Sequence, residues 1–170
     1  LMIIGIVPGI IVENGIVSSY EDRAVSIRSI TVKNQCDILC NQIIKEGYLD
    51  DPSSETLNGE FTMLSNLYSG SILVSDRNFR VIRDTYDLDT GKYMISSEVL
   101  NCFNGEEISN YDDGNRYIEM TVKIQAPNSD DVLGVMLVSI STDEIVASMD
   151  VLEKKGTLLV VIIALLVLVL

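Results

Sequence analysis

The chain contains no histidine. A Ser–His–Asp triad or an imidazole general base therefore cannot be assembled from it. With no His and no Cys-x-x-Cys pair, a zinc site is not expected. Cysteine is scarce, at Cys36, Cys40 and Cys102. The first two are four apart and would share a helix face, where neighbouring side chains point alongside one another and rarely meet disulfide geometry. The odd count also argues against a disulfide framework. Small buried apolar side chains are the expectation for all three. Positive charge is the next shortage: 12 Lys and Arg stand against 25 Asp and Glu, a net charge of −13. So acidic a chain is a poor partner for nucleic acid or for a bare anionic lipid surface. It suits an exported domain, or one that meets cations.

Charge is also missing from both ends. Residues 1–12 and 156–170 carry none, and every charge lies between Glu13 and Lys155. Thr157–Leu170 has no strong polar group and no helix breaker. An apolar run of that kind must satisfy its own backbone as a helix if it enters lipid, and a full span takes about 20 residues. We read 156–170 as the start of a second transmembrane helix and 1–12 as the end of a first. Residues 13–155 are then one extracytoplasmic domain held at a cell membrane. Few basic residues follow the first span, which fits an outside location; Lys154 and Lys155 run mildly against it.

No Pro or Gly interrupts residues 16–46. Apolar positions at Ile27, Ile30, Val32, Cys36, Leu39, Cys40, Ile43 and Ile44 step by threes and fours, which predicts a long amphipathic helix. Ser18 with Glu21 reads as a capping box, the alternative being a helix that runs on from the membrane. A helix this long outruns a small sheet, so its membrane-proximal part is expected to pair with a second copy. Asp51 as N-cap and Pro52 at the first position predict a second helix, with Leu57, Phe61, Leu64 and Tyr68 on its buried face.

Strands follow. Ser71–Ser75 and Phe79–Asp84 flank a turn at Asp76-Arg77-Asn78. A short helix is expected over 96–103, with Val99, Leu100 and Phe103 inward. Glu107–Tyr111 and Arg116–Gln125 flank Asp112-Asp113-Gly114-Asn115, a strong hairpin signal. Val132–Ser141 reads as a central strand. A last helix is expected from Ser141, with Glu144 completing a capping box, running on into the second span.

Four segments resemble a known family: Gly47-Tyr-Leu-Asp-Asp-Pro52, Gly70-Ser-Ile-Leu-Val-Ser-Asp-Arg-Asn-Phe-Arg-Val-Ile-Arg-Asp-Thr-Tyr86, Tyr117-Ile-Glu-Met-Thr-Val122 and Leu133-Gly-Val-Met-Leu-Val-Ser-Ile140. They resemble the extracytoplasmic sensor domain of Gram-positive, clostridial-type membrane sensor histidine kinases. The resemblance implies an α+β, PAS-like fold of the single-Cache type. Its antiparallel sheet would have five strands in the order 2-1-5-4-3, with a long N-terminal helix that contributes to a homodimer. It also implies a continuation beyond Leu170 into a kinase that uses ATP and Mg and addresses a response regulator. The same fold could serve a chemoreceptor, a cyclic-dinucleotide enzyme or a membrane-tethered interaction domain. No catalytic residue is expected within these 170 residues.

Two candidate sites emerge. The resemblance implies a pocket between the sheet and the loop and helix after the second strand. That would gather Arg83, Tyr86, Tyr93, Tyr111, Arg116 and Tyr117, arginine gripping a carboxylate and tyrosine lining the walls. Asp84, Asp87 and Asp89 form the better of several acidic clusters for a divalent cation, because oxygen ligands suit calcium or magnesium. None of the clusters has calcium-loop spacing. The alternatives are ordinary aromatic packing for the first site and turn-forming, solvated aspartates for the second. An envelope protein as the signal is the remaining option.

Overall fold

The computed structural model of the chain describes the backbone of residues 2–169 and the side-chain surroundings of residues 15–163 and 165. The expected first span lies outside the residues whose side chains are described, as do 164 and 166–170 of the second. Among the described residues, no helix is long and apolar enough to cross a membrane.

The elements, in chain order, are α1 (Met2–Glu46), α2 (Glu55–Leu67), β1 (Ser71–Asp76), β2 (Val81–Asp84), α3 (Ser97–Phe103), β3 (Ser109–Asp112), β4 (Tyr117–Gln125), β5 (Val132–Ser141) and α4 (Asp143–Val169). Two compact units arise: Ser29–Ser141, and Leu1–Arg28 together with Thr142–Leu170. In the second of these, Arg28 meets Glu144 at 3.3 Å.

The larger unit is built on one antiparallel sheet of five strands, ordered β2-β1-β5-β4-β3. This is the PAS-like arrangement that the resemblance implied. Register decides what each face buries, since alternate residues point to opposite sides. Val122 faces Met136, which faces Val74; Met120 faces Val138, which faces Ile72; Ile118 faces Ile140. All of these are buried and apolar. Val32, Cys36, Leu39, Cys40 and Ile43 of α1 and Leu57, Phe61 and Leu64 of α2 complete this core. Tyr48, fully buried, packs edge-to-face on Phe61 with ring centroids 5.6 Å apart, and its hydroxyl donates to Asn58 Oδ1 at 2.6 Å. The Ser29 and Ser109 hydroxyls share a hydrogen bond of 2.7 Å, and Lys33 pairs with Glu107 at 3.0 Å, so α1 is fastened to the start of β3.

Several expectations shift. Helix α1 runs straight through Ser18, so no helix begins there. Ile27 and Ile30 point outward instead of into the core. The N-cap of α2 is Ser54, whose hydroxyl accepts from Leu57 N, not Asp51. Asp51 instead accepts from Ser53 N in the preceding turn. Helix α3 is capped by Ser96 and turns Val99 inward, but Leu100 is exposed. Ser141 ends β5, and α4 starts two residues later at Asp143. The three cysteines are buried and free.

Candidate functional site

The second face of the sheet is only partly covered. Helix α3 sets Val99 and Cys102 on Val135, with Phe79, Met94, Phe103 and Val132 around them. Phe79 and Phe103 meet edge-to-face at 5.0 Å. Beneath α3, Thr121 is buried and its hydroxyl accepts from Ile108 N at 3.1 Å. Burial raises the Cys102 thiol above its usual range, against the opposing pull of the Thr121 hydroxyl. This half of the face is closed.

Toward the Ser141 end the face changes character. Ser71 on β1 lies opposite Ser139 on β5, Ser139 opposite Glu119 on β4, and Glu119 opposite Asn110 on β3. One polar row thus crosses four strands, each step about 4.8 Å. Leu73 and Leu137 flank it on one side and Tyr117 on the other. Ser71, Leu73, Tyr117, Glu119, Leu137 and Ser139 are all half-buried. Two hydroxyls that donate and accept, and a carboxylate that accepts, suit a small polar ligand carrying hydrogen-bond donors. The Glu119 carboxylate favours a cationic group over an anionic one.

The six residues proposed for a pocket do not come together. Arg83, Tyr86 and Tyr93 belong to the β2 edge, and Tyr111, Arg116 and Tyr117 to the β3–β4 hairpin at the other edge. Four inter-strand steps separate those edges, roughly 19 Å. Tyr93 also sits at the opposite end of the strands from Tyr117. Tyr93 bridges Arg80, beside the Asp76–Gly134 end, whereas Tyr117 pairs with Ser141. Arg83 lies opposite Val74 and so projects from the face that bears α1 and α2, near Tyr48. Tyr93 is 72% exposed and Tyr86 58%.

The three aspartates are used otherwise. Asp84 is 2% exposed. Its Oδ1 accepts from Tyr86 N at 2.9 Å, and its Oδ2 from Leu88 N at 2.9 Å and Asp89 N at 3.0 Å. Asp87 pairs with Arg83 at 3.3 Å and Asp89 with Lys92 at 2.8 Å. Among the described residues, no group of three or more acidic or cysteine side chains converges as a metal site would require. Three of the roughly four acceptor sites of the Asp84 carboxylate are thus taken by its own loop.

The chain folds like a known sensor domain. Its structure matches the crystal structure of the E. coli DcuS sensor domain with a TM-score of 0.52 at 13% sequence identity, over 73% of this chain and 98% of that one. At that identity the likeness establishes the fold. No protein-family model matches the sequence, and no curated protein matches it.

The polar row was missed from the sequence, yet a signal for it exists. Ser139 and Ser141 interrupt an otherwise apolar strand at spacing two, and Glu119 alternates with buried residues on β4. What the sequence could not supply is the register that aligns them.

Proposed function

We propose that this chain is the extracytoplasmic signal-sensing part of a two-span bacterial membrane receptor, and that the receptor's output is a histidine kinase. The observation that supports this reading is the near-complete overlap with a sensor domain, combined with how the last strand leaves the sheet. Strand β5 carries Ser139 and passes through the single residue Thr142 into the 27-residue helix α4. A ligand on the polar row would bear on that strand. By favouring one packing of the sheet, it would shift the population of α4 positions passed toward the membrane.

On this reading the Glu119 carboxylate favours a small cationic amine or amino acid over an anionic ligand. The test is thermal unfolding of the chain against free amino acids, small amines and small dicarboxylates. A true ligand at a hundredfold excess over its Kd stabilises by about 2.7 kcal/mol, and Glu119→Gln is expected to remove that gain. A dicarboxylate that stabilises both variants equally would move the site elsewhere.

The coupling has its own test. Ala147→Pro breaks α4 one turn after it begins, at about 3 kcal/mol to that helix. In the intact receptor, the output of this variant should no longer follow the stimulus, while residues 29–141 keep their circular dichroism. A normal response would rule out α4 as the transmitting rod.

A further inference from the structure

Beyond β2 the chain returns along the outer edge of the sheet. Tyr93 pairs antiparallel with Arg80. Val81 N donates to Lys92 O and Met94 N to Phe79 O, each at 2.8 Å. These two bonds flank the Arg80–Tyr93 pair, so the N–H and C=O of Tyr93 itself point away from β2. Among the described residues, neither they nor the N–H and C=O of Ile95 have a hydrogen-bond partner. The side chains alternate as in a strand packed on one side. Met94 turns inward onto the cluster of Val99, Cys102 and Val135, while Tyr93 is 72% exposed and Ile95 68%. Open edges are normally blunted by free charge, proline or a covering segment. Here the one charge within residues 91–95, Lys92, is tied to Asp89 at 2.8 Å. What faces outward is a tyrosine, an isoleucine and unpaired backbone.

Charge decides what fits this edge. The nearby carboxylates are committed. Asp76 Oδ1 accepts from Asn78 N and Arg80 N at 2.8 and 2.9 Å. Asp84 holds its own loop, and Asp87 is paired with Arg83. Arg77 and Arg80 are exposed, and among the described residues neither guanidinium has an ion pair. Arg80 shares a sheet face with Tyr93, its cross-strand neighbour. A strand laid outside Tyr93 would lie two spacings from Arg80, roughly 10 Å, a gap that an arginine and a facing glutamate close between them. A second copy of this chain fits less well. Edge-to-edge pairing would gather the free cations of both copies with no free carboxylate to meet them.

We propose that residues 91–95 are a docking edge for an extended acidic peptide, which joins the sheet as a further strand outside Tyr93. Backbone pairing at Tyr93 supplies the affinity, and Arg80 and Arg77 select acidic side chains over basic ones. The edge is separate from the polar row of Ser71, Ser139 and Glu119, and the proposal stands without it.

The test is fluorescence anisotropy of labelled synthetic peptides on the full chain in detergent. The probes are Glu-Val-Glu-Val-Glu, its lysine counterpart, and the glutamate peptide with alternate backbone amides N-methylated. The plain glutamate peptide should bind at least about tenfold more tightly than either of the others. Arg80→Glu should reverse the preference between glutamate and lysine peptides, with unchanged circular dichroism, since its side chain supports nothing in the fold. Lys45→Glu makes the same charge change at an exposed site on α1 and should leave binding as it was. Undiminished binding of the N-methylated peptide would show that no strand is added, and would overturn the proposal. So would equal binding of the lysine peptide, an equal loss with Lys45→Glu, or no binding at all. A dimer of the chain alone that Tyr93→Asp dissociates in sedimentation would give the edge to a second copy and overturn it as well.

Discussion

Asp84→Ala is expected to cost about 4 kcal/mol, because three backbone N–H groups would lose a charged acceptor in a site that water does not reach. Tyr86, Leu88 and Asp89 all donate to the Asp84 carboxylate, and the residue is almost fully buried at the end of β2. The loop after β2 also lends Lys92 O to Val81 N and takes Phe79 O through Met94 N. Releasing its start therefore loosens the edge of the sheet. Asp84→Asn keeps one acceptor oxygen and should cost about half as much. Urea unfolding measures both. A loss below about 1 kcal/mol would mean that the loop is held by other groups. If calcium stabilised the native chain and not the variant, Asp84 would be a ligand after all. For a domain whose whole stability is about 5–15 kcal/mol, the expected loss decides whether it stays folded at body temperature.

Gly70→Ala should be comparably damaging, by about 3 kcal/mol or more. Gly70 stands just before β1, with its N–H donating to Ser65 O at 2.9 Å and its carbonyl accepting from the Ser65 hydroxyl. A Cβ here would run into the Ser139 carbonyl oxygen and come within 2.8 Å of Ile140 Cα. Both are backbone atoms of the central strand and cannot rotate away. Gly59→Ala makes the contrast. In the exposed middle of α2 an added Cβ meets nothing, and the better helix former should stabilise by up to about 1 kcal/mol. The two melting temperatures should therefore move in opposite directions. A neutral Gly70→Ala would show that β1 can slide on β5, and the polar row built on their register would lose its support.

Much of the architecture was legible because local patterns agree with the final fold. The run Val132–Ser141 is apolar on both faces as far as Val138 since β5 is central, and its bounds read directly. Asp112-Asp113-Gly114-Asn115 is a hairpin turn in both readings, with Asp112 accepting from Asn115 N at 2.9 Å. Helix bounds were harder. Asp51-Pro52 is a sound start signal on its own, yet Ser54 wins the cap because its hydroxyl also donates to Glu46 Oε2 at 2.7 Å. That contact comes from a residue on another helix. Likewise Ile27 and Ile30 fit an inward stripe by spacing, but the line through Val25, Val32, Cys36 and Ile43 is the one that is buried.

Composition and periodicity alone determined that this is an acidic chain with apolar ends, a long opening helix, five strands and a helical exit. They also excluded histidine chemistry. Those properties depend on residue types and on spacings of two, three and four along one segment. Tertiary structure decided which residues share a site. It separated Arg83, Tyr86 and Tyr93 from Tyr111, Arg116 and Tyr117, turned Asp84 into the anchor of its own loop, and lined up Ser71, Ser139 and Glu119. The reason is that strand order and register are fixed by pairing between distant segments. A shift of one residue in register turns a strand's side chains to the other face, and no local spacing records which register the packed core selects.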